Sequence, residues 1–357
     1  MSFSPTRLSI ARKRAMLTKK ALAETTNLAA HTITRCENGE TEPSDETVQS
    51  FAKATGFPEK FFYLSDIEEA EGASFRSLTS MTAGIRDASL SAGAIGFIVS
   101  DWIEERFNLP AVKVPDLSLY SPTVAARVLR EEWSLGEKPV SNMVQLLESK
   151  GVRVFSLSED TAKMNAFAIW RNERPFVYLN TFKSAESSRF DAAHELGHLV
   201  LHQDGACVGR EAENEANAFA GSFLMPSSDV RAVLPRVRYL NQVLQQKKRW
   251  RVSAAALAYR LHKLEVITDW RYRDFCIEIS KRNFNKNEPY PIARETSVVW
   301  KKILQSLWSE RRTVSDIASD LYLPEREVNS LIYGLMGEVG SSSPAGDKTG
   351  VPIKLVE

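Results

Sequence analysis

The sequence predicts a mainly α, multidomain protein with one small antiparallel sheet, and three observations carry that prediction. The chain has 357 residues, more than a single hydrophobic core usually organises, so two or three domains are expected. Apolar residues recur at helical spacing along most of its length, punctuated by Ser, Thr and Asn caps. Short segments rich in β-branched and aromatic residues cluster between Val152 and Asn180.

Hydrophobic residues make up 43% of the chain and charged residues 25%, as in an ordinary globular protein. No apolar run approaches the 18 or so residues of a membrane span, and the first residues lack a signal-like apolar core, so the expected location is the cytoplasm. Cys36, Cys207 and Cys276 form no CxxC pair, which argues against a disulfide framework and a cysteine zinc site. The net charge of +1 says little, but its distribution says more. Arg7, Arg12, Lys13, Arg14, Lys19 and Lys20 precede any acid, Glu37 to Glu71 is dominated by acids, and Arg231 to Leu264 is again basic without one. Such blocks are candidate nucleic-acid faces, with a solvated surface as the plainer reading.

Residues 5 to 64 read as five short helices. Thr18 caps the second, Asn27 turns the chain into the third, Asn38-Gly39 stops that one, Ser44 caps the fourth, and Pro58 starts the fifth. Two short helices with a tight turn between them match a helix-turn-helix, whose second helix enters the major groove. The string LTKKALAETTNLAAHTITRCENGETEPSDETVQSFAKATG resembles the DNA-binding domain of phage repressors and Cro, the XRE type. By that resemblance Ala30, His31, Thr32 and Arg35 face bases, while Arg12, Lys19 and Lys20 lie near phosphates of a double-stranded operator. Lys19 stands where many members have Gln. A small protein-interaction module is the alternative, because this scaffold does not guarantee DNA contact.

Glu68 to Gly93 is rich in small residues and reads as a connection with a short ordered patch at Phe75-Arg76; Ala94 to Phe107 is an apolar helix. Pro122 to Trp133 and Ser141 to Lys150 are further helices, the latter closed by Gly151. Three strands follow, at 152–157, 167–170 and 175–180, with Asn172-Glu173 as a turn.

The stretch FDAAHELGHLVLH, Phe190 to His202, contains an HExxH. On a helix, residues four apart share a face, so His194 and His198 aim two imidazoles at one small cation while Glu195 stands beside them. Zinc held by two His and a carboxylate lowers the pKa of a water from about 15.7 towards roughly 7, and a neighbouring Glu takes the proton. Apolar neighbours imply a buried helix, where histidines need partners. The segment Glu211 to Met225 is a second helix, ended by Pro226, and should carry the third ligand. Glu213 shares a stripe with Asn217, Ala220 and Leu224; Glu215 is the alternative, about 200° round the helix.

The run RFDAAHELGHLVLH, a loop, then ENEANAFAGSFLMP resembles the core of the ImmA/IrrE metallopeptidases, which are similar to gluzincin proteases. The resemblance implies Zn2+ at His194, His198 and Glu213, with Glu195 as catalytic base, and a repressor protein as substrate. That repressor could be a partner or this chain itself. Asp191 stands where a small hydroxyl residue is expected. Cys207, in the loop between the two ligand helices, is either an inhibitory thiolate for the metal or an ordinary thiol.

After Pro226, Tyr239 to Trp250 and Ala254 to Leu264 suggest a second helix-turn-helix-like pair inside the basic block. Ser297 to Gly337 holds two more helices, rich in acids and better suited to interaction or dimerisation. The expected organisation is a Cro/CI-type DNA-binding domain at 1–66 and a linker with a connecting helix at 67–118. A zincin-like, α+β metallopeptidase domain at 119–230, a helical extension at 231–339 and a disordered tail at 340–357 follow. The expected function is a DNA-binding regulator that cleaves a repressor through a zinc endopeptidase, with a homodimer open and no membrane. The alternative is a regulator whose peptidase-like domain only senses a ligand or binds a partner.

Overall fold

The polar caps placed by the sequence start the helices where expected. A computed structural model of the chain describes residues 2–70, 82–157, 166–203, 209–284, 286–337 and 354–355. Contacts divide it into two units, one of residues 1–110, 155–164 and 298–357, the other of residues 111–154 and 165–297. Among the described residues, no helix is long and apolar enough to cross a membrane.

The first unit opens with α1 (Pro5–Arg14), α2 (Lys19–Thr26), α3 (Ala30–Glu37) and α4 (Asp45–Thr55), then a 3-10 turn at Glu59–Tyr63. The Thr18 hydroxyl accepts from Ala21 N at 3.0 Å, and Ser44 does the same for Thr47. Asn27 closes α2 in the left-handed region, φ 56°, which a short polar side chain tolerates. Leu8, Leu22, Ile33, Phe51 and Phe61 have no exposed surface and form the core of this bundle.

The expected connection is shorter than the composition suggests. α5 runs from Ala83 to Glu104, so residues 83 to 93, read as linker, are helical. Their small side chains are what close packing against α1 requires: Ala88 and Ser89 are fully buried, and the Ser89 hydroxyl is satisfied by Ile85 O at 2.8 Å. The Phe75-Arg76 patch lies outside the described residues.

In the second unit, α6 (Pro122–Glu132) and α7 (Met143–Ser149) precede the sheet. A short β1 (Phe107–Asn108) belongs to the first unit; β2 is Arg153–Leu157, β3 Phe167–Arg171 and β4 Arg174–Asn180. β3 and β4 form an antiparallel hairpin with Phe167 opposite Tyr178 and Arg171 opposite Arg174. Asn172 and Glu173, both at positive φ, make its two-residue turn. The order is β2-β4-β3, and the sheet is mixed rather than antiparallel throughout. With β3 and β4 antiparallel, the difference arises because β2 lies beside β4, not beside its sequence neighbour β3, and runs parallel to β4.

The long α8 (Ala185–Leu201) lies against β3, β4 and α9 (Arg210–Leu224), and α9 also packs on α6. α10 (Ser227–Val233), α11 (Leu240–Trp250), α12 (Ala254–Lys263) and α13 (Asp269–Lys281) complete the unit. The chain then returns to the first unit through three helices where two were expected: α14 (Val298–Ser309), α15 (Val314–Asp320) and α16 (Glu325–Ile332). A buried pair, Arg14 to Glu327 at 2.7 Å, ties α16 to α1. Most of the expected disordered tail lies outside the described residues; Lys354–Leu355 forms β5, antiparallel to β1.

Candidate metal centre and nucleic-acid face

α8 is held at its first turns before it reaches the HExxH. Glu186 meets Lys247 of α11 at 3.3 Å, with both side chains 1% exposed. Arg189, with a side chain wholly buried, pairs with Glu295 and donates to Val140 O at 2.6 Å. The other oxygen of Glu295 accepts from Met143 N at 2.8 Å at the start of α7. Burial pulls the Arg189 guanidinium below its usual range, and the neighbouring Glu295 charge opposes that fall. Asp191, the departure from the expected hydroxyl residue, makes an ion pair with Lys183 at 2.7 Å.

Beyond these anchors α8 is buried on nearly every face, and His194, Glu195 and His198 are themselves buried. Gly197 is what brings α9 close. A Cβ there would meet Phe219 Cδ1 at 3.1 Å and Ala216 Cα at 3.2 Å. That approach carries Glu213 to the histidines: its oxygens lie 3.4 Å from His194 Nε2 and 3.4 Å from His198 Nε2, which are 3.1 Å from each other. Ligand atoms of these three residues all fall within 4.8 Å of one another. Glu215, the alternative, turns away and meets His202 Nε2 at 2.9 Å.

The outer ring nitrogens are also occupied. His194 Nδ1 lies 3.1 Å from Asn217 Oδ1, and His198 Nδ1 lies 3.1 Å from His202 Nδ1. Because a side-chain amide oxygen only accepts, His194 carries its proton on Nδ1 and turns an Nε2 lone pair inward. Burial lowers the His194 pKa, but the hydrogen bond to Glu213 and the charges of Glu195, Glu213 and Asp191 outweigh it, and the net direction is up. At His198 burial prevails and the direction is down. For Glu213, burial pushes the carboxyl up, yet the two imidazoles 3.4 Å away hold it well below the usual carboxylate range. Two imidazole nitrogens and one carboxylate converging in a buried place fit a divalent cation, and this N2O set suits zinc.

Residues 147–262 match the IrrE N-terminal-like domain family, and residues 8–62 match the helix-turn-helix family. The chain joins an XRE-type helix-turn-helix domain to an ImmA/IrrE-like peptidase domain. No curated protein matches it. In the IrrE-like domain, reasoning from sequence missed Asn217, His202 and Glu215 as supports of the cluster. The signal was present: His202 is four residues beyond His198, and Asn217 four beyond Glu213, each on its ligand's own helical stripe. Cys207 lies outside the described residues.

In the helix-turn-helix domain, the first turn of α3 exposes Ala30 and His31, with Thr32 half-buried and Arg35 exposed. Arg35 lies 3.9 Å from Glu40. Lys20 is the most open of the expected phosphate contacts, its side chain 83% exposed. Lys19 is half-exposed and 3.1 Å from Glu37. Arg12 is placed differently from the expectation. It is buried, bonded to Glu37 at 2.6 Å and to Leu17 O at 2.8 Å. The buried Glu37 carboxylate at the end of α3 requires a cation, and Arg12 supplies it from α1.

Proposed function

We propose that this protein is a DNA-binding transcriptional regulator whose peptidase domain is a zinc-dependent endopeptidase that cleaves a repressor, either a partner or the chain itself. The observation that carries the reading is the convergence of His194, His198 and Glu213 on one buried point with Glu195 in the same helical turn. His194, His198 and Glu213 would hold the zinc. A zinc ion there acidifies a bound water and polarises a carbonyl. Glu195, one residue after the ligand His194, would take a proton at its carboxylate and return it to the leaving amine. β3, at the edge of the sheet and packed beside α8, supports an extended substrate that adds as a further strand. The exposed Ala30, His31 and Arg35 support an operator in contact with α3, at a cytoplasmic site of action.

Glu195→Gln tests the chemistry, because it keeps the size of the side chain and leaves the three ligands intact. Purified parent and variant are incubated with repressors encoded beside the gene. The parent should cut one of them, and the variant should retain zinc yet cut about 10² to 10⁴ more slowly. If Glu195→Gln cuts as fast as the parent, or induces the controlled genes equally well in cells, proteolysis is not the mechanism and a sensing role replaces it.

A further inference from the structure

We propose that His202 and Glu215 form a positioning relay that locks His198 in the tautomer whose Nε2 lone pair faces the ligand cluster. The proposal rests on the zinc reading for its consequence, but its proton arrangement stands on the geometry alone. His202 closes the C-terminal end of α8, four residues after His198, and its side chain is 6% exposed. Glu215 comes from α9, two residues beyond Glu213, and reaches His202 from the other side.

The chain of protons follows from what each atom can do. The Glu215 carboxylate only accepts, so a neutral His202 carries its proton on Nε2 and donates it across 2.9 Å. Its Nδ1 is then a lone pair, and the only hydrogen bond possible across the 3.1 Å to His198 Nδ1 is one donated by His198. A neutral imidazole with its proton on Nδ1 has none on Nε2. Thus His198 turns a lone pair towards Glu213 and His194, as His194 does through Asn217. The two histidines are fixed by different devices, an amide for one and a histidine-carboxylate pair for the other.

Removing Glu215 loosens the relay at its far end. His202 then populates the form with its proton on Nδ1, which faces His198 Nδ1 and forces the His198 proton to Nε2, the atom a cation needs. Outer partners of metal-binding histidines typically change affinity about 10- to 100-fold.

The test uses the full chain with 15N-labelled histidine rings, read without added metal, together with zinc affinity from competition against a chromogenic chelator. In the parent, His198 should show a protonated Nδ1 and a pyridine-like Nε2. His202→Phe, which keeps a ring but no acceptor, should give a mixture of His198 tautomers and zinc binding about 10- to 100-fold weaker. Glu215→Leu, at a half-exposed position, should shift both readouts the same way. Glu215→Gln should restore them, because its amide oxygen still accepts from His202. The double variant should be no weaker than His202→Phe, since both act through one chain. The relay is overturned if His198 carries its proton on Nε2 in the parent, or if His202→Phe keeps both the parent tautomer and the parent affinity. A parent that binds no zinc would instead remove the metal reading, and the ring-nitrogen signals would still decide the relay.

Discussion

Helix α8 is enclosed by the sheet, α9 and two buried ion pairs, whereas α3 presents Ala30, His31 and Arg35 to solvent. In α8 Glu186, Arg189, Asp191, His194 and His198 each meet a partner that sets the side chain's position. In α3 the buried residues Ile33 and Cys36 hold the helix on the bundle, while outward Arg35 has only an exposed 3.9 Å approach to Glu40. A catalytic centre has to be preorganised by its own protein. A DNA-reading face takes its final arrangement from the groove it enters.

If that contrast is right, breaking an anchor of α8 should cost more than any change on the outward face of α3. Glu295→Ala leaves the Arg189 charge buried without its carboxylate, and should destabilise the peptidase domain by about 3 to 5 kcal/mol in denaturant unfolding. Loss under 1 kcal/mol would mean that the pair does not hold α8. Gly197→Val drives a branched side chain into Ala216 and Phe219, and should cost about 1 to 3 kcal/mol as the helices separate. It should weaken zinc binding as well, because Glu213 rides on α9; unchanged affinity would show that the close approach is not what places Glu213.

Arg35→Ala should leave unfolding within about 0.5 kcal/mol of the parent, yet weaken operator binding by about 1 to 3 kcal/mol if it reads a base. Arg12→Ala should behave in the opposite sense, lowering stability because Glu37 loses its partner. Equal effects of the two on folding would erase the distinction drawn between them. A smaller effect concerns acid. Hydrogen bonds from Arg249 hold the Asp229 carboxyl below its usual range, against its partial burial and with help from Trp250. A depressed folded value contributes stability above the ordinary Asp pKa of about 3.9 and loses it as pH falls through the folded value. Asp229→Asn should therefore flatten the acid limb of the stability curve; an unchanged limb would remove Asp229 from it.

The same contrast explains what could be read from the residues alone. His194, Glu195 and His198 share one helix, and Thr18, Asn27 and Ser44 act within three residues of themselves, so spacing was enough to place them. The pairing of Arg189 with Glu295 spans 106 residues, and that of Lys247 with Glu186 spans 61; no local pattern links such partners. Choosing Glu213 over Glu215 needed the rotation of α9 against α8, which the missing Cβ of Gly197 decides in three dimensions. Arg12 was misplaced because a basic residue beside a helix-turn-helix invites a phosphate, whereas the buried Glu37 claims it first. The linker shortened for a related reason: Ala, Ser and Gly between residues 83 and 93 look like a flexible connection, and are also what a helix packed tightly on α1 needs.

Zinc content tests the central claim most directly. The parent and His194→Ala are purified without added metal, checked for equal folding by circular dichroism, and measured for zinc per chain by elemental analysis. The account predicts about one zinc in the parent and close to none in His194→Ala, because removing one of three protein ligands strips most of the affinity. A parent without zinc, or a variant that keeps all of it, would contradict the assignment of His194, His198 and Glu213 as a metal centre.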